Sequence, residues 1–310
     1  MIEYSQILFQ MFNFKLAIRQ DFKVLKSIKK KRKRGMLLSK LLDMKNDYVF
    51  KRIFGHIGNE EITAGLLSSI LDRNVSNLKL DNNPILEKDL LDDKVGILDI
   101  KAKIDNNINC DIEMQVLDQK NIEKRLLYYW SKMYEKSIKS GKDYIDLEKS
   151  IEILIIDFEL DRTNKVEKYL TKWHIREENY PQIILTDVME IYIIELPKFK
   201  QYKEKSRNKI LNSWVEFIKN PEVNIMGEEN KELKKAKKVL EEISQDEHER
   251  YLAKLRQKYI MDQKAIEDAG YDKGIKDEKI LIAKKMKSQK MDIKLISEIT
   301  SLSEEEIKNI

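Results

Sequence analysis

Two neighbouring stretches of the chain alternate apolar and polar residues with a period of two. Residues 97–104 alternate Leu, Ile and Ala with Asp and Lys, and residues 111–116 alternate Asp, Glu and Gln with Ile, Met and Val. A period of two places successive side chains on opposite faces of a strand. Because the turn-forming segment Asp105-Asn106-Asn107 separates the two stretches, they predict a β-hairpin.

Other stretches repeat apolar residues at helical spacing. Asn46-Asp47 can cap a short helix that Gly55 ends, and Asn59 is a candidate cap for the helix that follows. A third helix is expected from about 119 to 140, where Gly141 stops it. The predicted hairpin is therefore flanked by helices along the chain.

Apolar runs predict further strands, at residues 151–156, 183–185 and 191–194. After Pro197 the chain predicts only helices rich in Lys and Glu, with breaks near Asn220 and from Gly270 to Gly274. This order of elements predicts an α/β core over residues 36–200 and a helical C-terminal region over 201–310.

The chain ends on two short predicted helices, at 293–299 and after the capping box that Ser303 opens. Two helices around a tight turn are compatible with a DNA-reading helix-turn-helix. The second helix begins with the three glutamates 304–306, which would repel phosphates in a groove. We therefore favour a hairpin used for packing or for a homo-oligomer.

The net charge of +5 does not indicate nucleic-acid binding by the body of the chain. Residues 1–35 hold ten Lys and Arg against Glu3 and Asp21, so the rest of the chain is slightly acidic. This basic extension is expected to be a disordered, solvated tail or to follow from a misplaced translation start. A nucleic-acid arm is the alternative interpretation of its run at 29–34.

The remaining composition favours a cytoplasmic protein outside the membrane. The single cysteine, Cys110, excludes an internal disulfide and a cysteine-based zinc cluster, which fits a reducing compartment. A run of about 18 uninterrupted apolar residues, as a membrane-spanning helix requires, does not occur. We therefore expect no membrane partner.

The predicted hairpin carries the candidate chemistry. Glu113 and Gln115 are two residues apart and share one strand face, and Asp99 can reach the same face from the other strand. Two carboxylates suit Mg²⁺, a hard cation that takes oxygen ligands. Alternating charges on a hairpin are, however, more often its solvated face. Spacing alone leaves both interpretations open.

Six segments stand out in their order and spacing along the chain, at 46–55, 98–102, 111–115, 125–130, 141–144 and 195–199. Together they resemble the PD-(D/E)xK nuclease superfamily, and more closely its Rpn branch of recombination-promoting nucleases, also described as transposases. The resemblance implies a restriction-endonuclease-like α/β core, a mixed sheet flanked by helices, followed by an all-helical C-terminal extension.

The resemblance also implies roles for individual residues. Asp99 and Glu113 would bind the metal, and Met114 would contribute only its backbone carbonyl. Gln115 stands where the superfamily usually has a lysine, and a neutral amide can donate a hydrogen bond but no positive charge. Leu98 replaces the proline of the motif's name.

Four further residues of the matching segments have two interpretations each. Asp47 is a catalytic or supporting acid, or the cap of its helix. Lys51 faces a substrate phosphate or water. Arg125 and Tyr128 lie three apart on a helix and could contact the substrate backbone, although pairing of Arg125 with an acid is equally compatible.

Together these observations predict a Mg²⁺-dependent DNA endonuclease, for which Mn²⁺ could replace Mg²⁺. Water attacks the phosphodiester, and Gln115 positions the water or the phosphate. The alternative is a nuclease-fold protein with weak or no turnover that binds nucleic acid or regulates. A third hypothesis gives the working role to the helical region 201–310.

Overall fold

The computed structural model describes residues 40–82, 99–118, 120–223 and 230–310, and contacts between residues group 42–310 into one unit. A six-stranded mixed sheet forms its centre, in the order β1-β2-β3-β4-β6-β5. The strands are β1 Leu78–Leu80, β2 Ile100–Ile104, β3 Ile108–Gln115, β4 Lys149–Ile156, β5 Leu170–Trp173 and β6 Met189–Glu195.

Strands β2 and β3 form the hairpin that the alternating pattern predicts. They pair antiparallel, with Ile100 opposite Ile112 and Ile104 opposite Ile108. Asp105 and Asn106 in the turn both have positive φ, at 52° and 64°. Two successive left-handed residues match the right-handed twist of the flanking strands, and Asp and Asn tolerate this conformation better than most residues.

The middle of the sheet is parallel, because β3 pairs with β4 and β4 pairs with β6 in the same direction. Parallel neighbours need a crossover, and the helix between β3 and β4 provides it. From residue 150 onwards β4 is buried throughout, as its uninterrupted apolar run predicts for a strand covered on both faces. The mixed sheet flanked by helices is the fold class expected from the sequence.

Nine α-helices occur among the described residues. They are α1 Asp47–Phe54, α2 Glu60–Leu71, α3 Ile122–Lys136, α4 Phe199–Tyr202, α5 Lys209–Lys219, α6 Lys231–Gln245, α7 Glu247–Ser288, α8 Ile293–Thr300 and α9 Glu304–Lys308. Asn46 caps α1 as predicted, because its side chain accepts a hydrogen bond from the amide of Val49. Asn59 makes no such bond to α2 and donates to the carbonyl of Ile53 instead.

Helix α3 packs on one face of the sheet. Ile122 and Leu126 are buried against residues of β4 and β6, among them Leu154 and Ile193. One turn further along α3, Trp130 donates from Nε1 to the carbonyl of Ser150 at 2.9 Å. Apolar packing and this hydrogen bond hold α3 in a fixed position over β3 and β4.

The predicted break from Gly270 to Gly274 is wrong. Helix α7 runs through both glycines over 42 residues, from Glu247 to Ser288. A glycine in an exposed helix costs only about 1 kcal/mol relative to alanine, which the long flanking segments can offset. The break near Asn220 is correct, since α5 ends at Lys219.

The predicted strand at 183–185 is also wrong. Ile184 forms only a single bridge to Arg176, and Ile183 and Leu185 are exposed. A short apolar run cannot by itself distinguish a strand from a loop. The short edge strands β1 and β5 were not expected from the sequence.

The C-terminal helices α8 and α9 pack against the end of α7. A small core of Ala283, Ile296, Leu302 and Ile307 joins them. The predicted capping box is present, with Ser303 and Glu306 bonding each other's backbone amides.

No helix among the described residues is both long and apolar enough to cross a membrane. The basic extension 1–35 lies outside the described residues, and the predicted domain boundaries stay a prediction.

Candidate metal and nuclease site

Asp99 and Glu113 face each other across the hairpin. The register that sets Ile100 opposite Ile112 brings Asp99, one residue before β2, opposite Glu113. Residues directly opposite in an antiparallel pair share a face. Both predicted metal ligands therefore lie on the face that α3 covers.

Arg125 reaches this face from α3 and contacts both polar residues of the motif. Its Nη2 donates to Oε1 of Glu113 and, at 3.1 Å, to Oε1 of Gln115. The Gln115 amide nitrogen donates in turn to the carbonyl of Leu117 at 3.1 Å. Arg125 therefore pairs with an acid, which is one of its two interpretations, and this acid is Glu113 of the candidate site.

Met114 lies between the two polar residues and points to the other face of the sheet. Its side chain is buried, in agreement with the arrangement that the resemblance implies. Alternation along β3 explains the position, because neighbouring side chains of a strand point in opposite directions. Only the backbone of Met114 is therefore available to the site.

Asp47 is not the cap of α1, because Asn46 has that role. Its carboxylate accepts three hydrogen bonds from the Arg256 guanidinium of α7, at 2.7 to 3.0 Å. Asp47, Arg256 and Gln115 line one cavity of 360 Å³ beside the end of β3. Asp47 therefore lies next to the site, with its carboxylate held by a partner.

Lys51 is buried, whereas Tyr128 is exposed. Lys51 is buried on α1, and its charge is close enough to oppose the rise in the pKa of Asp99. Lys51 therefore does not face water, which was one of the two interpretations of this residue. Tyr128 is exposed on α3, with the Lys132 ammonium 5.1 Å from its ring centroid.

The structure adds two acids that sequence reasoning missed, Asp111 and Glu152. They are register partners on β3 and β4 and are 5% and 1% exposed. Among the described residues, Oδ1 of Asp111 and Oε2 of Glu152 have no hydrogen-bond partner. A signal for each was present, because Asp111 alternates in step with Glu113, and Glu152 interrupts an otherwise apolar run.

Burial and mutual repulsion shift the titration of these acids. Burial, and then the charge of Asp99, raises the pKa of Asp111 to about 8. Burial, followed by the charges of Asp111 and Asp99, raises the pKa of Glu152 well above its ordinary value. Burial also raises the pKa of Asp99, against the opposing charges of Lys101, Arg125 and Lys51. The row of acids therefore binds protons at pH values where exposed acids are ionised.

The site fits a cation that takes few ligands from the protein. Within the described parts of the chain, no three His, Cys, Asp or Glu side chains are placed to hold a metal ion together. Mg²⁺ is commonly held by one or two carboxylates and keeps several waters. Asp99 and Glu113, with a backbone carbonyl of β3, meet that requirement, whereas a structural zinc site would need four ligands.

A groove of 740 Å³ leads away from Asp99 and Asp111, between α3 and the face of the hairpin that α3 covers. Its lysines are Lys101, Lys103, Lys132, Lys136 and Lys139. Lys103 is paired with Glu148 at 2.7 Å. Four acids, Asp81, Asp99, Asp111 and Glu148, also line the groove. Lysines beside acids that bind a metal can hold a polyanion across the metal site. A larger cavity of 940 Å³, lined by Ser68 and Asn208, lies elsewhere and contains none of these acids.

The sequence matches one protein family over residues 44–270, and this family is described as PD-(D/E)XK nuclease family transposase. A search of curated proteins and a search of solved structures found no match. The match covers more than half of the chain and includes both strands of the hairpin, α3 and the first half of α7. The chain belongs to the PD-(D/E)XK nuclease family transposases.

Proposed function

We propose that the protein is a metal-dependent endonuclease that hydrolyses phosphodiester bonds of DNA. The observation that carries the proposal is the position of Asp99 opposite Glu113, on a face that also bears Gln115. The lysine-lined groove supports DNA as the substrate, because it begins at Asp99 and suits a phosphate backbone. Membership of a nuclease family supports the reaction class.

Asp99, Glu113 and the Met114 carbonyl would hold Mg²⁺ or Mn²⁺. Such an ion lowers the pKa of water and neutralises charge on a phosphate. Overall, the oxygen of water bonds to phosphorus, the bond from phosphorus to the leaving sugar oxygen breaks, and one proton of the water ends on that oxygen. Gln115 orients the water or the phosphate by hydrogen bonds from its amide.

The other candidate residues would bind or position. Tyr128 is exposed and can contact the substrate backbone. Lys51 acts on Asp99 through its charge, from a buried position. Asp47 is a positioning residue in this proposal, because its carboxylate is held by Arg256. A homo-oligomer through the C-terminal helices stays a prediction.

The test is cleavage of supercoiled plasmid by the full chain, with Mg²⁺ and with EDTA. Glu113→Gln keeps the shape of the side chain and removes its charge, so it should abolish nicking. Glu241→Gln, on the exposed face of α6, is the matched control and should cut as the wild type does. Full activity of Glu113→Gln, or equal cutting in EDTA, would overturn the proposal.

One observation favours the second candidate, a protein that binds nucleic acid with little or no turnover. Arg125 is paired with the carboxylate that should bind the metal, and position 115 has no charge. This candidate predicts salt-dependent DNA binding and no cleavage with Mg²⁺ or Mn²⁺. Measuring binding and cleavage on the same duplex separates the two functions.

A further inference from the structure

The motif face lacks a positive charge on β3 itself. Position 115 carries a neutral amide, which can accept or donate a hydrogen bond but cannot neutralise a phosphate. Charge builds on the scissile phosphate during hydrolysis, and positive groups aimed at that position give much of the rate enhancement. If the proposed function holds, on which this inference rests, another cation near Gln115 should meet that need.

Arg125 is placed for this role. Nη2 of its guanidinium donates to Oε1 of Glu113 and also to Oε1 of Gln115, the latter at 3.1 Å. Helix α3 is anchored by buried Ile122 and Leu126 on either side of this residue in sequence. The Arg125 side chain is 26% exposed, so the same group borders on solvent. A phosphate arriving beside Glu113 would therefore meet it.

Other cations near the site are placed less well. Lys51 is 5% exposed on α1, so an incoming phosphate meets little of it. Lys101 is exposed, but it lies opposite Asp111, which is two residues before Glu113 on β3. Lys120 lines the cavity beside Gln115 from the loop before α3, and Glu113 is not among the residues that line this cavity. Arg125 touches both motif side chains and also borders on solvent.

We propose that Arg125 supplies, from helix α3, the positive charge that the motif lacks at position 115. With Glu113 bound to the metal, the guanidinium can donate N–H bonds to a non-bridging oxygen of the scissile phosphate. An arginine suits this role because it stays charged and presents several donors in a fixed plane. Gln115 accepts one of these donors and so keeps the guanidinium beside the phosphate.

Loss of Arg125 should also change the affinity for Mg²⁺, which can be measured without catalysis. Arg125 competes with the metal for Glu113, and its charge repels a divalent cation. Removing it should therefore tighten Mg²⁺ binding and slow cleavage at the same time. A residue that only holds Glu113 in place for the metal would show the reverse, with weaker Mg²⁺ binding on removal.

The experiment compares the full-length wild type with Arg125→Met, Arg125→Lys, Gln115→Lys and the double variant Gln115→Lys/Arg125→Met. Plasmid nicking gives the rate, and the Mg²⁺ dependence of the melting temperature gives metal affinity. Arg125→Met should lose on the order of 100-fold in rate, as for loss of one transition-state donor. The double variant should recover about tenfold or more of that rate, by the same reasoning.

Arg162→Met is the matched control. Arg162 pairs with Glu123 of α3 at 3.1 Å, outside the site, so its loss should leave the rate and Mg²⁺ affinity unchanged. Arg125→Lys retains the charge and should keep most of the rate, which covers the case that Arg125→Met folds poorly.

Three results would each overturn the inference while the proposed function stands. The first is a double variant no more active than Arg125→Met, with both folded. The second is weaker Mg²⁺ binding by Arg125→Met, and the third is an Arg125→Lys variant no more active than Arg125→Met. A wild type that cuts nothing with Mg²⁺ or Mn²⁺ would instead reject the proposed function itself.

Discussion

The guanidinium of Arg256 holds the carboxylate of Asp47 through three hydrogen bonds of 2.7 to 3.0 Å. This pair joins α7 to α1 across 209 residues of sequence. A second pair with the charges reversed, Glu249 of α7 with Arg52 of α1, lies 2.6 Å apart. The long C-terminal helix is therefore fastened to the first helix of the core, next to the candidate site.

Arg256→Met should destabilise the protein, because it leaves the buried Asp47 carboxylate without its ion-pair partner, with the Tyr48 backbone amide still donating to it. Removing one member of a buried ion pair costs roughly 3–5 kcal/mol. Asp47→Asn should also destabilise, and the double variant should lose less than the sum of the two single losses. Urea unfolding of the four proteins measures this coupling. An Arg256→Met variant within about 0.5 kcal/mol of the wild type would contradict it.

The same change, glycine to alanine, should have opposite effects at Gly65 and Gly270. A methyl group at Gly65 would lie 2.7 Å from Cβ and 2.8 Å from Cγ of Glu232, where α2 meets α6. At Gly270, in the middle of α7, nothing lies within 4 Å. One glycine permits close helix packing, and the other only weakens its helix.

Gly65→Ala should therefore cost about 1–3 kcal/mol, the range typical of overpacking. Gly270→Ala should stabilise by up to about 1 kcal/mol, through helix propensity alone. Thermal unfolding of both variants tests the pair, and each serves as the other's control. Stabilisation by Gly65→Ala would mean that α6 can move away from α2 without loss.

Local patterns in the sequence predict the hairpin and the shared face of Asp99 and Glu113, because strand alternation and turn residues act over short distances. Partners from distant segments are not predicted in this way. The register of parallel β3 and β4, which brings Glu152 beside Asp111, depends on how the α3 crossover packs. The contact of Arg256 with Asp47 depends on the path of α7. The sequence pattern wrongly predicted a break in this helix at Gly270.

Lys132 and Lys136 should contribute to DNA affinity through their charge. They lie one turn apart on α3, are exposed, and line the groove that begins at Asp99. Replacing both with Gln should lower the slope of log affinity against log salt by about 2, close to one per phosphate contact. The measurement is fluorescence anisotropy of a labelled duplex between about 50 and 200 mM salt.

Lys234 and Lys238 are the matched control for this prediction. They have the same spacing and are exposed on α6, outside the groove. Replacing both with Gln changes the net charge equally, so the salt dependence should stay that of the wild type. If the slope falls equally in the two double variants, any loss of positive charge weakens DNA binding and the groove is not the DNA-binding surface.

The buried acids should make the protein less stable as the pH rises. A folded-state pKa that is raised above the unfolded value means that the folded protein holds a proton which the unfolded chain releases. Stability is then full below the unfolded pKa of about 4 and falls as the pH approaches the folded pKa, about 8 for Asp111. Each such group contributes at most about 1.4 kcal/mol per pH unit to this slope.

Glu152→Gln should reduce this loss, because the amide keeps the shape of the side chain and cannot ionise. In EDTA, the variant and the wild type should unfold at similar urea concentrations near pH 4, and the variant should be the more stable one at pH 8. Glu241→Gln, at an exposed position on α6, should follow the wild-type curve throughout. A wild type whose stability is the same at both pH values would mean that Asp111 and Glu152 ionise as exposed acids do, and the two unpartnered oxygens would then have solvent or cation contacts.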